Sequence, residues 1–274
     1  MSQSHFTLRF PLKSPEDAKA LAELLPPLMP PLFEAADTIG TIHYSRFTLL
    51  SEKTLLFLGD FDGEFGQLMA NLAAQAGPVF DAIFQHVVSP TPTPVAANAE
   101  AFVEWTAAHI VHALNLYTAY PAVTAREIKA LASAADVHDT CEQRPFLVIL
   151  PIKSSIAFVE VKLLLIARGK GTTKDLDKVG TPHFAQFVPL EDNQIGFFTV
   201  YDGTFNEYIA DFTKNPPPSP CRKHLQEFID FAAGANRTPI GFYSAYPGLT
   251  VQDIHALIAD SKVQSGSKQL AMAK

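Results

Sequence analysis

A pair of histidines stands at the same place in two copies of one segment. Residues 40–63 (GTIHYSRFTLLSEKTLLFLGDFDG) return 140 positions later as residues 180–203 (GTPHFAQFVPLEDNQIGFFTVYDG), so that His43 corresponds to His183. A histidine can bind a ligand, hold a haem iron or act as a general base near neutral pH. A buried histidine also commonly serves only to satisfy nearby backbone groups. We therefore predict His43 and His183 as ligand-binding positions, with a structural role as the alternative.

Each copy of this 24-residue segment ends in an Asp-Gly pair. In the first copy the pair belongs to the five residues 59–63 (GDFDG). Asp62 in this segment could act as a general acid and base, and Arg46 on the preceding predicted strand could stabilise developing negative charge. Asp-Gly is also an ordinary turn sequence, because glycine tolerates positive φ and aspartate bonds to nearby backbone. The catalytic candidates are therefore Asp62 and Arg46, with a plain turn as the alternative for the motif.

A second repeated block, YTAYP in the first copy and YSAYP in the second, supplies tyrosine hydroxyls. Successive side chains of a strand point to opposite faces, which places Tyr117 and Tyr243 on one face and Tyr120 and Tyr246 on the other. We predict that Tyr117 and Tyr243, together with Asn115, line a ligand-binding cavity between two sheets. The alternative is that these rings are ordinary core residues.

The residues around these groups show the same order of elements in each copy: strand, helix, strand, strand, helix, strand. β-Rich apolar runs predict the first three strands at 5–12, 43–50 and 54–61, and at 146–152, 183–190 and 194–201 in the second copy. Four prolines inside the helical stretch 15–36 predict a break or kink there. The order βαββαβ is that of the ferredoxin-like unit, whose antiparallel sheet carries helices on one face.

The third predicted strand of each copy is apolar on both faces. In the first copy the run 55–58 (LLFL) places apolar side chains on both sides of the strand, so neither side is suited to water. The simplest way to bury both faces packs the two sheets against each other. We therefore predict an α+β fold of two tandem ferredoxin-like repeats, residues 1–140 and 141–264, packed sheet to sheet as an intrachain dimeric α/β barrel, with a flexible tail at 265–274.

These blocks resemble two known groups. The sequences HYSRF at 43–47 and HFAQF at 183–187, each followed by an Asp-Gly turn, are similar to an uncharacterised group of ferredoxin-like, dimeric α/β barrel repeat domains found beside haem peroxidases and lipid-oxidising enzymes. That resemblance implies an accessory or ligand-binding role. The GDFDG segment resembles, more weakly, the GxxDG motif of dye-decolorising peroxidases, which implies that Asp62 works on peroxide above a haem held by a histidine.

Composition limits the functional classes. The 274 residues include 21 basic and 28 acidic side chains, a net charge of −7 without a basic stripe, which disfavours binding to a nucleic-acid backbone. The two cysteines, Cys141 and Cys221, lie far apart and favour a reducing compartment, so we expect a cytoplasmic protein. We expect no secretory signal and no membrane span, and we predict no metal site, since His109 and His112 lack a third ligand.

The leading functional prediction is a soluble accessory or binding protein with an inter-sheet cavity for a small apolar or haem-like ligand. Phenyl rings, tyrosines and a few polar groups between two sheets would suit such a molecule. One alternative is a haem-dependent, peroxidase-type oxidoreductase that uses the candidate residues above. Another is a non-catalytic interaction module with a filled core, whose surface docks a partner oxidoreductase.

Overall fold

The computed structural model describes residues 2–214 and 239–272, in which two four-stranded antiparallel sheets are combined with helices. The strands, in chain order, are β1 (Gln3–Pro11), β2 (Ile42–Ser51), β3 (Thr54–Asp62), β4 (Asn115–Thr118), β5 (Gln143–Pro151), β6 (Pro182–Leu190), β7 (Gln194–Asp202) and β8 (Ile240–Ser244). The helices of the described residues are α1 (Pro15–Ile39), α2 (Phe65–Phe84), α3 (Ala99–Ala108), α4 (Ala125–Ala135), α5 (Ser155–Val179), α6 (Phe205–Lys214) and α7 (Val251–Met272), with a short 3₁₀ turn at Val95–Asn98.

The last strand of each copy lies in the sheet of the other copy. The first sheet has the order β1-β3-β2-β8, so that β8 of the second copy pairs with β2 of the first. The second sheet has the order β4-β6-β7-β5, in which β4 of the first copy pairs with β6 of the second. The α+β class with two ferredoxin-like repeats is confirmed. The repeats differ from two separate ferredoxin-like units in that they exchange their last strands, and the sheets do not close into a barrel.

The outer edge of β1 is occupied by a connecting segment of the first copy and not by a strand. The connection that leads from α3 to β4 occupies this edge, where Val111 N donates a hydrogen bond to Thr7 O at 2.7 Å. Three residues later the same connection reaches the second sheet, where Leu114 N donates to Phe187 O at 2.7 Å. Because the edge beside β1 is already paired, the strand that follows extends the other sheet instead.

Helix α1 continues through its four prolines without the predicted break. These prolines all lie on the exposed side of the helix: Pro26, Pro27, Pro30 and Pro31. The residues four positions before them are exposed as well, so water can bond the carbonyl groups that each proline leaves without a helical partner. The opposite side of the helix buries an apolar stripe that holds it on the sheet: Leu21, Leu25, Met29 and Leu32.

Strand β3 is buried along its whole length, as predicted for a strand that is apolar on both faces. On one face, Leu55 and Phe57 join the core beneath the helices of the first sheet. On the other face, Leu56 and Leu58 belong to a cluster that includes Phe198 of the second sheet. The two sheets therefore pack face to face, and the layer between them is where the predicted histidines lie.

Within the two described ranges, no helix is long and apolar enough to cross a membrane. Helix α7 extends to Met272, into the stretch predicted as a flexible tail, and the bounds of the two repeats and of that tail stay a prediction. Cys141 is a free thiol, and Cys221 lies outside the described residues.

Candidate functional site

His43 and Tyr44 both face the layer between the sheets, although they are neighbours in strand β2. The pairing of β2 with β3 shifts register between Ile42 and Tyr44, which interrupts the alternation of side chains. The ring of His43 lies 5.1 Å from the ring of Phe184 in the second sheet, and the ring of Tyr44 lies 5.8 Å from it. Strict alternation would separate the two residues, whereas the irregular register brings them together.

Both ring nitrogens of His43 are hydrogen-bonded. Its Nε2 donates to Asp62 Oδ1 on the neighbouring strand β3, at 3.0 Å. Its Nδ1 lies 2.8 Å from the hydroxyl oxygen of Tyr246, which follows β8. Because β8 comes from the second copy, this second bond joins the two copies across the layer.

The second copy contains the matching arrangement. His183 Nε2 donates to Asp202 Oδ1 at 2.7 Å, and His183 Nδ1 lies 2.9 Å from the hydroxyl oxygen of Tyr120. The hydroxyl oxygens of Tyr120 and Tyr246 in turn lie 2.8 Å apart. Six side chains thus form one continuous series of hydrogen bonds between the sheets, called here the central network: Asp62, His43, Tyr246, Tyr120, His183 and Asp202. Its members are between 0% and 7% exposed.

Each aspartate of the central network also holds the start of a helix. Asp62 Oδ2 accepts a hydrogen bond from the backbone N of Ala125, the first residue of α4, at 2.8 Å. Asp202 Oδ2 accepts one from the backbone N of Val251, the first residue of α7, at 2.9 Å. The unpaired N–H groups and the dipole of a helix N-terminus favour a negative charge there. Both oxygens of each carboxylate are therefore engaged, one by an imidazole and one by a helix.

The tyrosines of this layer are neutral hydrogen-bonding groups. Burial raises the pKa of Tyr44, Tyr120 and Tyr246 well above the ordinary tyrosine value, because the charged phenolate would lose its hydration. The hydroxyl oxygen of Tyr44 lies 3.4 Å from that of Tyr120, at the side of the central network. Each hydroxyl keeps its single proton and can donate one hydrogen bond.

Arg46, the second catalytic candidate, lies in the same layer and is 4% exposed. One guanidinium nitrogen donates to Phe146 O at 3.4 Å, and its Nε makes no hydrogen bond within the described residues. Burial lowers the pKa of Arg46 to about 10, and the negative charge of Asp60 acts in the opposite direction. Arg46 is therefore a cation at neutral pH, and the carboxylate that acts on its pKa stands two residues before Asp62.

Asp60 belongs to a second polar cluster that has no counterpart in the other copy. Its Oδ1 lies 2.9 Å from His5 Nδ1, and His5 Nε2 lies 2.8 Å from the hydroxyl oxygen of Thr7. Gln186 of the second sheet donates to the same carboxylate oxygen at 3.1 Å. The positions of the second copy that correspond to His5 and Asp60 hold a proline, at 145, and a valine, at 200. This cluster is thus a polar link between the sheets on one side of the layer only.

The predicted residues Tyr117, Tyr243 and Asn115 do not meet between the sheets. Tyr243 donates from its hydroxyl to Asp37 Oδ1 of helix α1 at 2.9 Å, and burial raises its pKa, with Asp37 adding to the effect. Tyr117 packs in the core on the helical side of the second sheet. Asn115 Oδ1 accepts from a backbone N–H of β6 at 3.1 Å. The two tyrosines point to the helical layers, and their role in ligand binding stays a prediction.

Sequence reasoning missed the two tyrosines at the centre of the layer. Tyr120 and Tyr246 are the second tyrosines of the YTAYP and YSAYP blocks, and both follow the end of their strands, β4 and β8. The alternation of a strand does not apply beyond its last residue, so their direction could not be read from parity. The available signal was the repetition of the Tyr-Pro pair together with the repeated histidine.

The histidines of the central network do not fit a haem site. A haem iron takes the lone pair of an imidazole nitrogen. In His43 and His183 both ring nitrogens are hydrogen-bonded to side chains, and both residues are 0% exposed. Asp62 likewise has both carboxylate oxygens engaged. The residues that the peroxidase resemblance nominates are therefore bonded to one another and to a helix.

An open groove of about 620 Å³ lies at the junction of the two copies, beside β8 at the edge of the first sheet. It is bounded by helix α1, by the connection into β5 and by β8 with the turn that follows it. Three aromatic and three acidic side chains line it: Phe33, Phe242, Tyr243, Asp37, Asp139 and Glu142. Of the predicted ligand-binding residues, Tyr243 lines this groove.

Comparison with known proteins gives distant structural likenesses. No protein-family model matches the chain, and no curated protein matches it significantly. A solved structure from Fusobacterium nucleatum, described as a "putative monooxygenase", is 7% identical, covers 91% of this chain and 97% of that chain, and gives a TM-score of 0.46. A protein of the same description from Lactobacillus acidophilus is 9% identical, covers 91% of this chain and 99% of that one, with a TM-score of 0.38. Likenesses this distant carry no functional conclusion.

Proposed function

We propose that this protein is a small-molecule-binding accessory protein whose ligand occupies the groove at the junction of the two copies. The single observation that carries the proposal is the groove itself, whose volume of about 620 Å³ is that of a small-molecule site. Its aromatic rings suit a flat apolar body, and its carboxylates favour a ligand with a positive charge.

Asp139 is the carboxylate best able to receive such a charge. Asp37 is already paired with Lys129 at 2.7 Å, and Glu142 is paired with Arg144 at 2.5 Å. Asp139 is exposed, and within the described residues its side chain makes no ion pair. A cationic group bound in the groove would therefore find one unpaired carboxylate and the faces of several rings.

The space between the sheets around His43 and His183 is not the proposed ligand site. Side chains fill that space around His43 and His183, and the hydrogen-bonding groups of the central network satisfy one another. Opening a cavity there for a small apolar or haem-like molecule would leave buried polar groups without partners, at about 1–3 kcal/mol each. The same cost weighs against a haem-dependent peroxidase built on Asp62 and Arg46.

The alternative function, a non-catalytic interaction module, is favoured by the same filled layer. Such a module needs no ligand in the groove. A filled layer between the sheets is compatible with both proposals. The two proposals therefore differ in whether the groove binds a molecule with a defined charge preference.

Binding of three indoles separates them: tryptamine is cationic, indole is neutral and indole-3-acetate is anionic, on one aromatic body. We expect tryptamine to bind most tightly by calorimetry, and Asp139→Asn to weaken it by roughly 3- to 10-fold, the loss of about 1 kcal/mol. Asp192→Asn is the matched control, because Asp192 is an exposed aspartate in the same left-handed conformation, in the β6–β7 turn. If none of the three binds, or if both variants behave alike, the groove is not the site and the interaction module stands.

A further inference from the structure

Helix α5 carries an exposed apolar stripe. Among the described residues, five of the six large hydrophobic side chains with high exposure lie on this helix, and Ile156 is the most exposed at 75%. The other four range from 49% to 61%: Val159, Leu163, Leu164 and Ile166. A contiguous apolar patch of this kind on a protein surface marks a binding surface more often than an isolated exposed leucine does.

The spacing of these residues places them on one side of the helix. Ile156, Val159, Leu163 and Ile166 follow one another at intervals of three, four and three residues, which is the repeat of a single helix face. Elsewhere along its length α5 contacts strands β4 and β6 of the second sheet. The stripe is therefore not the side by which α5 joins the fold.

The internal duplication supplies a control for this stripe. In helix α1, the positions that correspond to residues 156, 159 and 163 hold Glu16, Lys19 and Glu23. Glu16 and Glu23 are exposed, and α1 packs on its sheet with these polar residues in place. The repeat thus folds with charged side chains at these positions. The apolar residues of α5 serve something outside the repeat.

The charge around the stripe indicates what covers it. Residues 153–174 include five basic side chains and one acidic one, Glu160, a local charge of +4 in a chain of net charge −7. Lys153 and Lys174 are exposed at the two ends of this segment, and Lys162 lies beside the stripe with its Nζ 5.4 Å from the ring centre of Phe158. An apolar helix face bordered by lysines is typical of helices that lie in the surface of an anionic membrane.

A second copy of the chain fits the stripe less well. A two-fold axis that pairs α5 with itself in antiparallel order brings the same flank of both helices together. Glu160 of one copy would then face Glu160 of the other, and Lys162 would face Lys162. These like charges oppose the pairing that the apolar residues would favour, whereas an anionic lipid surface attracts the basic side chains of residues 153–174.

We propose that α5 attaches this protein peripherally to anionic lipid surfaces, with Ile156, Val159, Leu163 and Ile166 inserted at the level of the head groups. The helix lies in the plane of the surface and does not span it, in agreement with the finding for the described helices. This inference does not depend on the groove or on its ligand.

Sedimentation with lipid vesicles tests the proposal. We expect the intact protein to bind vesicles of phosphatidylcholine with about one-third phosphatidylserine, to bind pure phosphatidylcholine far more weakly, and to be released as salt is raised. The informative variant carries the residues of the sister helix, Ile156→Glu, Val159→Lys and Leu163→Glu, which the same repeat already tolerates in α1. This triple variant should lose at least tenfold in vesicle partition with its melting temperature unchanged.

Three results would overturn the proposal. The intact protein could fail to bind either type of vesicle, or the triple variant could bind as well as the parent. Light scattering could also show a dimer that the triple variant turns into a monomer, without vesicle binding, which would make a second copy the partner of the stripe. A Lys162→Gln variant adds a further check, because it should lower binding to anionic vesicles and leave the residual binding to neutral ones unchanged.

Discussion

The hydroxyl oxygens of Tyr120 and Tyr246 lie 2.8 Å apart, and each hydroxyl also contacts a histidine of the opposite copy. The central network contains five such hydrogen bonds in series, and the middle one joins the hydroxyls of the two copies. The network is therefore a single bonded unit and not two independent His-Asp pairs.

Removal of either central hydroxyl should destabilise the fold. Tyr246→Phe leaves His43 Nδ1 without its partner in a fully buried position, and Tyr120→Phe does the same for His183. We expect each variant to lose about 1–3 kcal/mol of unfolding free energy in urea titrations. The double variant should cost less than the sum by about 0.5 kcal/mol or more, since both changes remove one shared bond. Strict additivity would show that the two hydroxyls act independently.

The two aspartates should be equivalent in stability. Asp62→Asn and Asp202→Asn each replace the carboxylate by a neutral amide, whose NH₂ group can donate to the imidazole Nε2 only if that histidine carries its proton on Nδ1. We expect losses of about 1–3 kcal/mol for both, because each variant removes the negative charge that the helix N-terminus favours and rearranges a buried series of hydrogen bonds. A catalytic Asp62 predicts the opposite pattern, in which Asp62→Asn keeps the stability and Asp202→Asn loses it.

Much of the fold could be predicted from sequence, because duplication appears as a repeated segment and burial appears as an apolar run. The repeat at an offset of 140 residues defined the two copies, and the run LLFL in β3 required a second sheet on its outer face. The exchange of β4 and β8 could not be predicted. The placement of β4 depends on which sheet edge is free, and the backbone of Val111 pairs with the edge of β1 without any side-chain pattern that the sequence would show.

The site could be predicted only in part, for a similar reason. His43, His183 and Asp62 stood out because both copies repeat them at element boundaries. Their hydroxyl partners, Tyr120 and Tyr246, come from the exchanged part of the opposite copy, so no reasoning within one copy finds them. The shift of register beside Ile42 likewise changes which residues share a face, and it has no signature in residue type.

High pH should unfold the protein cooperatively. The chain has seven tyrosines, and burial raises the pKa of each of them. A raised pKa in the folded state means that only the unfolded chain releases these protons above about pH 10. Stability is therefore fully present below that pH and falls above it, by about 1.4 kcal/mol per pH unit for each fully buried tyrosine.

Arg46 acts in the opposite sense over the same range. Its pKa of about 10 in the folded state is below the ordinary 12.5, so the folded chain loses this proton first and gains stability as pH rises between the two values. One arginine does not offset the three buried tyrosines of the inter-sheet layer. Tyrosinate absorbance and far-ultraviolet circular dichroism should thus change together along an alkaline titration. A rise in tyrosinate absorbance at a lower pH than the change in circular dichroism would contradict the burial of these hydroxyls.

The exchange of last strands predicts that neither copy folds alone. A fragment of residues 1–140 lacks β8 beside β2, and His43 in it lacks the hydroxyl of Tyr246. A fragment of residues 141–274 lacks β4 beside β6, and His183 in it lacks the hydroxyl of Tyr120. We expect each fragment by itself to show no cooperative unfolding transition. Mixing them should restore the transition and give a one-to-one complex on gel filtration, whose stability depends on concentration because the covalent link is gone.

The intact chain cleaved after folding is the control for this experiment. The connection between α4 and β5 is exposed around Asp139, so a protease site inserted there should be cut without loss of structure. The nicked protein should then match the reconstituted complex in circular dichroism and in its midpoint of unfolding. A monomeric fragment 1–140 that unfolds cooperatively would show that β8 and the central network are dispensable for the first copy, and would support the two repeats as independent domains.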